Sequence, residues 1–404
     1  MQFCLLAALL FAACEKGTTP EPVYTDPITI TNPDNNTSVS GAITIRTAVG
    51  QDYTFEKVVF YINSDSVATD VTEPYTYLWN TSGYTNGSIH RLWAEAFDTA
   101  DSYISDTVTV TVTIPVTYEF TFKSSFTFTS QAVRVASEGS HLYVALGPDG
   151  LSVLDITNVS SPVRLYSFES ADNVKGIASD LPYLVTAESD IGIRLFNYTS
   201  NPDTFIARSV FTTQGMAWNV KVIGNMIYVA DNDALQIASI SNYTISSVNR
   251  IPIEYGVVND VDAAGSTVYV LDINGVTAYD VSQPDTAVFI ARYAQFNGQC
   301  QSVSTDGEHV FVGTTSELKM LTASLVSVAN LSRQDGFTGV FAADPILFAS
   351  AGGSTGGAWA YNYSSGSSLV ELDHYTLDEA SNDITYSNGY VFLASQTKVS
   401  IFSF

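Results

Sequence analysis

Residues 142–157 read Leu142-Tyr143-Val144-Ala145-Leu146-Gly147-Pro148-Asp149-Gly150-Leu151-Ser152-Val153-Leu154-Asp155-Ile156-Thr157. Two apolar runs, rich in branched and aromatic side chains, stand on either side of a turn that contains Gly and Pro. Short apolar runs bounded by turn residues are typical of β-strands. The second run ends in Asp155, a short polar residue, and the hydroxyl of Thr157 follows two positions later. The stretch therefore predicts two neighbouring strands joined by a tight turn.

The same unit recurs along the rest of the chain. Its first strand is found at 142–145, 184–187, 227–230, 268–271, 310–313, 347–350 and 391–394. Its second strand ends at Asp155, Asn197, Ser239, Asp280, Thr322, Asn362 and Ser403, with spacings of 42, 42, 41, 42, 40 and 41 residues. A period near 41 fits four short strands and their turns, which is one blade of a β-propeller. We therefore predict a seven-bladed propeller over residues 117–404.

Short polar side chains end the second strand of every unit, and a Thr or Ser follows two positions later in the first six. Such side chains accept hydrogen bonds from backbone N–H groups one or two residues on and so fix a turn. We interpret both columns as turn-stabilising residues rather than as a catalytic array.

The seventh unit stops at Phe404, directly after its third strand. The segment Tyr118-Glu119-Phe120-Thr121-Phe122 precedes the first unit and has the pattern of an outer strand. We predict that residues 118–122 pair with residues 398–403 and close the ring, which removes an open sheet edge.

The repeat unit resembles the LVIVD repeat, a bacterial propeller repeat named for its second strand. The best copies are Leu151-Ser152-Val153-Leu154-Asp155-Ile156-Thr157 and Val276-Thr277-Ala278-Tyr279-Asp280-Val281-Ser282-Gln283-Pro284. The fifth and sixth units depart from it, with Thr322 and Asn362 in place of Asp. The resemblance implies the same propeller that the period predicts.

Residues 27–115 show short alternating strands separated by turn clusters, which predicts an antiparallel β-sandwich. The motifs resemble those of bacterial Ig-like domains, which usually act as spacers in surface proteins and secreted enzymes. They are Val58-Val59-Phe60-Tyr61, Pro74-Tyr75-Thr76-Tyr77-Leu78-Trp79-Asn80-Thr81, and Gly87, His90, Leu92, Ala94, Ala96 and Asp98. Alternation places Leu92, Ala94 and Ala96 in the core beside Trp79, with Trp93 on the opposite face.

The first residues predict export. A short apolar run without charge reaches Ala13, and its end, Leu10-Phe11-Ala12-Ala13-Cys14, resembles the lipobox of bacterial lipoproteins. The resemblance implies that residues 1–13 are a signal peptide, that Cys14 is lipidated, and that the protein is held at the cell envelope, at the outer membrane or cell surface. A plain secretory signal with an incidental Cys is the alternative. Residues 14–26 are polar and contain Pro, which predicts a flexible tether.

Composition limits the classes of partner. The 404 residues carry 41 Asp and Glu against 16 Lys and Arg, for a formal net charge of −25, and we expect no binding to nucleic acid. The three Cys do not form a disulfide framework. The abundance of Tyr, Phe, Thr and Val favours an all-β protein. We expect a monomer.

No motif for catalysis, phosphate binding or metal binding stands out. His141 and His309 occupy equivalent positions before apolar strands and are interpreted as turn residues. Asp231-Asn232-Asp233 offers oxygen ligands that suit Ca²⁺, without EF-hand spacing, and we expect no cofactor. Asp260 and Asp262 flank Val261 on a predicted innermost strand, as a polar channel wall or, alternatively, as acid–base residues.

Two functions follow from these observations. The first is a non-catalytic surface lipoprotein whose propeller binds a protein or a glycan, in adhesion or as a scaffold. The second is a propeller-type glycan hydrolase or lyase with acidic residues at the channel. Loops on a rigid scaffold commonly carry binding, and the absence of a catalytic motif favours the first.

Overall fold

A computed structural model of the chain describes residues 26–114, 117–200, 203–353, 356–364 and 366–404. The predicted signal peptide 1–13, the lipidation site Cys14 and all but the last residue of the predicted tether 14–26 lie outside the described residues. Contacts divide the chain into two units, Met1–Thr117 and Tyr118–Phe404. Among the described residues, no helix is long and apolar enough to cross a membrane.

The first unit is a β-sandwich of two sheets. Its strands are β1 Ile28–Asn32, β2 Thr37–Val39, β3 Ala42–Val49, β4 Lys57–Ile62, β5 Asp65–Asp70, β6 Thr76–Asn80, β7 Ile89–Phe97, β8 Ser102–Ile104 and β9 Val108–Val112. One sheet has the order β1-β3-β6, and the other has the order β2-β9-β7-β4-β5, with β8 added beside β7. Only β2 and β9 pair in parallel; the other strand pairs are antiparallel.

Packing without a disulfide holds the two sheets together. Leu92, Ala94 and Ala96 are fully buried on the inner face of β7, and Trp79 is buried beside them, as predicted. Small side chains on β7 leave room for the indole, so the core reaches close packing. On the outer face, Trp93 stacks on Tyr61 with ring centroids 3.8 Å apart, which covers a side chain that would otherwise be exposed.

The second unit consists of seven antiparallel four-stranded sheets, each built mainly from one sequence repeat. We number these sheets as blades one to seven. From the inside outwards, blades one to six are β11 Arg134–Glu138, β12 His141–Ala145, β13 Leu151–Asp155, β14 Val163–Phe168; β15 Gly176–Asp180, β16 Tyr183–Ala187, β17 Ile193–Ser200, β18 Asp203–Phe211; β19 Ala217–Ile223, β20 Met226–Asp231, β21 Ala234–Ser241, β22 Thr244–Pro252; β23 Val258–Ala264, β24 Thr267–Asp272, β25 Gly275–Asp280, β26 Val288–Tyr293; β27 Cys300–Thr305, β28 His309–Thr314, β29 Glu317–Thr322, β30 Ser327–Ser332; and β31 Gly339–Ala343, β32 Ile346–Ala351, β33 Gly357–Asn362, β34 Val370–Thr376. Blade seven is β35 Ser381–Ser387, β36 Tyr390–Ser395, β37 Lys398–Ser403 and, as its outer strand, the residues Thr121–Thr127.

Burial explains why the repeat is most apolar in its middle. The second and third strands of a blade are covered on both faces by neighbouring blades, as in β12, where all five residues are buried. Strands buried on both faces read as continuous apolar runs rather than as alternating ones. The outer strand is largely exposed, as in β14. The seven copies of the apolar pattern therefore mark the blade interiors.

The ring closes through blade seven, where a strand from the start of the unit pairs with residues 398–403, as predicted. The pairing strand is Thr121–Thr127, which we call β10, so Thr121 and Phe122 of the predicted segment 118–122 pair with β37 and residues 118–120 do not. The preceding aromatics pack instead of pairing: Phe120 is buried against Phe402 and Phe404, and the ring of Tyr118 stacks on Phe404. Burial of these rings fixes the start of the unit and shifts the paired strand later in the chain.

The turn-stabilising residues are confirmed in three blades. The second strand of each sequence unit is the third strand of its blade. At its end, a side-chain oxygen accepts a hydrogen bond of 2.8 Å from the N–H two residues on, in the pairs Asp155–Thr157, Asp280–Ser282 and Asn362–Ser364. The interpretation is wrong for Asn197 and Ser239, because β17 and β21 continue beyond them. In blade three, Asn242 and Tyr243 both have positive φ and close a long hairpin with a two-residue turn.

Candidate functional site

The innermost strands of all seven blades surround one central channel. A cavity of about 270 Å³ is lined by residues of these strands, including Arg134, Lys221, Asp260, Asp262 and Asp383. Asp260 and Asp262 lie on the innermost strand β23, as predicted, and both are buried. The channel therefore contains charged groups of both signs.

The innermost strands of neighbouring blades belong to different sheets and share no backbone hydrogen-bond ladder. Side-chain hydrogen bonds link them instead. The carboxylate of Asp260 accepts a hydrogen bond from the N–H of Val303, and that of Asp262 accepts one from Thr305, both at 2.9 Å. Asp383 of blade seven accepts one from Val135 of blade one at 3.0 Å. A carboxylate bonded to backbone N–H groups is satisfied in the interior. These carboxylates therefore join one blade to the next.

Between blades five and six, serine hydroxyls instead of carboxylates accept the hydrogen bonds that join the two innermost strands. The hydroxyl oxygens of Ser302 and Ser304 accept hydrogen bonds from the N–H groups of Val340 and Ala342, at 3.3 and 3.0 Å. Gly339 leaves the space that Asp383 fills, because a Cβ at this glycine would stand 2.7 Å from the carboxylate. Close approach of the innermost strands thus depends on residue size as well as on polarity.

Two internal cations compensate the channel carboxylates. Arg134 lies 3.4 Å from Asp260, and Lys221 lies 2.7 Å from Asp262, whose charge raises the pKa of this lysine. Burial raises the pKa of Asp383 to about 6, although Arg134 acts in the opposite direction. The pair Asp260 and Asp262 is therefore part of an ion-paired wall, which agrees with the polar-wall interpretation made from the sequence.

A second cavity lies at the end of the channel where the innermost strands begin, and we call it the mouth. It also measures about 270 Å³, and every blade contributes to it. The lining residues are Gln131, Val133, Arg134, Lys175, Trp218, Asn259, Gln301, Thr338 and Asn382. None of these described lining residues is Asp or Glu, although acids outnumber bases in the chain. The mouth is thus rich in amides, and its ionised lining residues are the two cations Arg134 and Lys175.

Three mouth side chains also hold the blades together. Asn259 donates through Nδ2 to the carbonyl of Cys300 at 2.9 Å, and Thr338 donates to Ser381 O at 2.8 Å. Asn382 donates through Nδ2 to Ala132 O at 2.8 Å. Each bond crosses from one blade to the next, so these side chains are held in place.

Two polar atoms of mouth residues have no partner. Trp218 Nε1 is a donor and Asn259 Oδ1 is an acceptor, and both are shielded from solvent without a hydrogen bond. Buried polar groups in proteins are nearly always paired, so each such group calls for an explanation. The Lys175 ammonium lies 4.3 Å from the centroid of the Trp218 ring, which brings the cation and the indole together at the mouth. These groups make the mouth the strongest candidate site.

A column of buried acid–base pairs lies where the second strands end, and it was not predicted. The pairs are Glu188–Arg194, Asp231–Arg250, Asp272–Arg292 and Glu317–Lys319. Each carboxylate also accepts a hydrogen bond from the loop that leads into or out of its strand, as Asp231 does from Gly215 N–H at 3.1 Å. The signal was present as an acid after each apolar strand in blades two to five.

The turn Asp231-Asn232-Asp233, whose oxygen ligands would suit Ca²⁺, already binds a cation of the protein itself. Arg250 pairs with both Asp231 and Asp233, so an internal cation already stands between the two carboxylates. Within the described ranges, no group of three or more His, Cys, Asp or Glu side chains is arranged to hold a metal ion.

His90, His141, His309 and the single body cysteine lie in packed surroundings, whereas His374 is half-exposed and pairs with Glu371. His141 begins β12 and is buried with its ring 5.0 Å from that of Tyr198, and His309 begins β28, so both are strand residues and not turn residues. Burial lowers the pKa of His90, which contacts Asn63 and Ser88. Cys300 is fully buried, and burial raises the pKa of its thiol to about 12, which leaves it unreactive.

Several solved structures are similar to about 70% of this chain. Solved structures similar to this chain include U3-55K at 11% identity and TM-score 0.59, covering 69% of this chain and 98% of that one. The WD40 β-propeller domain of Doa1 matches at 11% and 0.57, covering 70% and 97%. The computationally designed protein Ika8 matches at 9% and 0.53, covering 69% and 98%. At such low identity these matches show the fold alone.

Protein-family models match part of each unit. The model described as a bacterial Ig domain matches residues 27–91, and the LVIVD repeat model matches residues 130–169 and 214–248. No curated protein matches the chain. The chain is an all-β protein whose first unit matches a bacterial Ig domain model and whose seven-bladed β-propeller contains two segments that match the LVIVD repeat model.

Proposed function

We propose that this chain is a non-catalytic binding protein of the cell envelope whose propeller takes its ligand at the mouth. The observation that carries the proposal is the composition of the mouth, where amide, hydroxyl and indole groups from six blades converge with the ammonium of Lys175 from blade two. Concave sites with a few convergent polar groups on a rigid scaffold are the usual form of ligand sites.

The bonding of the channel carboxylates supports binding over catalysis. A general acid or base must reach the proton that it moves. Asp260 and Asp262 instead accept backbone hydrogen bonds and pair with Arg134 and Lys221, respectively. Breaking these contacts during a reaction would leave buried charges uncompensated.

One observation favours the alternative, a propeller-type carbohydrate-active enzyme. Asp383 lines the channel, and its pKa is raised to about 6, which suits a general acid near neutral pH. Incubation of the whole chain with mixed glycans, followed by analysis of the products, separates the two functions. Binding without any product supports our proposal. Products that disappear in Asp383→Asn, with folding intact, would establish the enzyme.

Location at the membrane belongs to the same proposal and rests on the lipobox-like residues that end in Cys14. We propose that lipidated Cys14 holds the protein at the membrane and that the Ig-like unit acts as a spacer. The test is membrane fractionation of Cys14→Ser, with Cys4→Ser as the matched control in the same segment. The account expects only Cys14→Ser to become soluble, and a membrane-bound Cys14→Ser variant would contradict the anchor.

A pair of variants tests the mouth itself. Gln301 lines the mouth, whereas the side chain of Gln299, two residues earlier, is exposed outside it. We expect Gln301→Glu to weaken binding to the tightest ligand from arrays of glycans and peptides, because it places an unpaired carboxylate in the mouth, and Gln299→Glu to leave it unchanged. Equal binding by both variants, with equal thermal stability, would remove the mouth as the site.

A further inference from the structure

The mouth concentrates positive charge in an acidic chain. Its ionised lining residues are Arg134 and Lys175, in a chain of net charge −25. The guanidinium of Arg134 is compensated from the channel side by Asp260, at 3.4 Å. The Lys175 ammonium pairs with no carboxylate of the described residues. An excess of one positive charge therefore stands at the mouth, which matches a ligand group with one negative charge.

The opposite end of the channel carries acids instead. Glu138 and Asp180 end the innermost strands β11 and β15, and Asp306 and Asp344 directly follow β27 and β31. Carboxylates repel an anion at that end, whereas the cations of the mouth attract one. The charges therefore favour the mouth as the end of the channel that receives an anionic group.

Contact between blades two and three fixes the position of the free ammonium. Lys175 directly precedes Gly176, the first residue of β15, and a Cβ at Gly176 would stand 2.5 Å from the Cα of Asn219 in β19. Glycine thus lets the two strands approach and brings Lys175 beside Trp218, with the ammonium 4.3 Å from the ring centroid. Lys175 is half-buried and its ammonium is not shielded from solvent, so an anion can reach it.

Open acceptor oxygens accompany this cation. Gln131 donates through Nε2 to Asn382 Oδ1 at 3.1 Å, and Gln301 donates through Nε2 to the carbonyls of Gln299 and Cys300, at 3.4 Å each. The Oε1 atoms of both glutamines accept no hydrogen bond from the described residues. Gln131 is exposed, and the Oε1 atom of Gln301 is not shielded from solvent. Both oxygens are therefore open to a ligand that donates hydrogen bonds, as hydroxyl groups do.

The remaining lining separates classes of anion. Its apolar residues are Val133 and Trp218, which offer little surface to the side chains of a peptide. A phosphate ester carries close to two negative charges at neutral pH, and the second would face Asp260 and Asp383 in the channel. The cavity of about 270 Å³ lies at the lower limit of the roughly 300–1,000 Å³ of small-molecule sites, so it suits one compact unit. A hydroxyl-rich unit with a single carboxylate meets all of these conditions.

Resting on the proposed function, we propose that the mouth binds the carboxylate of an acidic sugar unit of a glycan. The Lys175 ammonium, positioned by the Trp218 ring, pairs with the carboxylate. Hydroxyls of the same sugar donate to the Oε1 atoms of Gln131 and Gln301.

The test compares binding of the whole chain to three matched oligosaccharides that end in glucuronic acid, glucose or glucose 6-phosphate, and to a peptide with a free C-terminal carboxylate. Lys175→Met removes the ammonium and keeps an aliphatic side chain. Lys123→Met, on the exposed outer strand of blade seven, changes the net charge equally and is the control. We expect the glucuronic acid ligand to bind about tenfold more tightly than the glucose ligand. Lys175→Met should remove this preference, while Lys175→Arg and Lys123→Met should retain it.

Salt and folding give independent readouts of the same variants. An increase in NaCl from about 0.1 to about 1 M shortens the screening length from ~10 to ~3 Å, so binding of the glucuronic acid ligand should weaken several-fold and binding of the glucose ligand should change little. Lys175 has no ion pair to lose among the described residues, and we expect Lys175→Met to unfold at the same urea concentration as the wild type.

Each other outcome overturns a defined part. Equal binding of the glucuronic acid and glucose ligands, weakened by Gln301→Glu, would overturn the carboxylate and leave the mouth as the site. Tighter binding of the phosphate ester or of the peptide, weakened by Lys175→Met, would overturn the acidic sugar and again leave the mouth. Binding that neither Lys175→Met nor Gln301→Glu changes would place the ligand elsewhere and overturn the proposed function as well. Failure of all four ligands to bind a chain that unfolds cooperatively would overturn the acidic sugar, while the arrays of glycans and peptides test the proposed function separately.

Discussion

Buried carboxylates determine how single residues act in this propeller. Asp272 is fully buried, and its carboxylate accepts two hydrogen bonds from Arg292 and one from the N–H of Asn274 in the following turn. The Arg292 guanidinium also lies 4.1 Å from the centroid of the Tyr255 ring. An ion pair of this kind contributes little compared with apolar packing, but removal of one partner leaves a buried, uncompensated charge.

Arg292→Met tests this column of pairs. The variant keeps the aliphatic packing and removes the charge, so Asp272 remains buried without its partner, and we expect the free energy of unfolding to fall by about 3–5 kcal/mol. Arg164→Met, on the exposed outer strand of blade one, is the control and should change it by less than about 1 kcal/mol. Urea unfolding measures both. A similar small effect in the two variants would show that the pair is not structurally important.

Asp383 makes stability depend on pH. Its pKa is raised from 3.8 to about 6 by burial, so the folded chain holds this proton more tightly than the unfolded chain. Its stabilising contribution is present in full below pH about 4 and is lost as pH rises through about 6. Between those values, wild type should lose on the order of 3 kcal/mol relative to Asp383→Asn, which cannot ionise.

Urea unfolding at several pH values between about 4 and 7 measures this difference. Asp280→Asn is the control, because turn hydrogen bonds lower the pKa of Asp280 and any contribution it makes is lost only at more acidic pH. Parallel pH profiles for wild type and Asp383→Asn would contradict the raised pKa.

At the scale of strands, closure of the ring depends on aromatic packing around β10 and β37. Phe402 is fully buried, and its ring lies within 6 Å of those of Phe120, Phe122 and Tyr375. Because the paired strands come from opposite ends of the propeller, this cluster joins the first residues of the unit to the last.

Phe402→Ala therefore should cost about 3–5 kcal/mol, as large-to-small changes in a packed core do. The loss should appear in the unfolding of the whole ring, measured as earlier hydrogen exchange in blades one and seven. Phe289→Ala, on an exposed outer strand, is the control and should leave exchange unchanged. Exchange that increases only around residue 402 would contradict cooperative closure.

Some strands of the propeller could be predicted from the sequence more accurately than others. The blade interiors were predictable because burial on both faces requires continuous apolar runs, such as Leu142–Ala145 and its six counterparts. The exact bounds of the closing strand were not, because Phe120 and Phe122 look alike in sequence, although Phe120 is buried outside the strand and Phe122 is half-exposed and pairs with Phe402. Long hairpins at Asn197 and Ser239 were missed because their polar residues resemble those that end shorter strands.

The candidate site was predicted only in part. Asp260 and Asp262 were placed on an innermost strand by alternation, but the sequence does not tell which backbone N–H groups lie opposite them. Mouth residues such as Lys175, Trp218 and Asn259 are separated by roughly one repeat each, and single amides carry no motif. They become a site only when seven strands bring them to one end of the channel.

At the scale of the whole molecule, we propose that the Ig-like unit acts as a spacer and that the propeller takes a ligand at its mouth, while its polar channel maintains structure. The acidic composition disfavours polyanions, although the ionised residues of the mouth itself are the cations Arg134 and Lys175. Asn259 links two blades through Nδ2, while its Oδ1 is shielded from solvent and has no hydrogen-bond partner.

The most direct test is a crystal structure of the chain with its tightest ligand from the glycan and peptide arrays. We predict ligand density in the mouth, in contact with lining residues such as Trp218 and Gln301, and with the channel carboxylates still bonded to their neighbouring blades. Ligand density on the outer strands, on the Ig-like unit, or deep in the channel against a displaced Asp383 would contradict it.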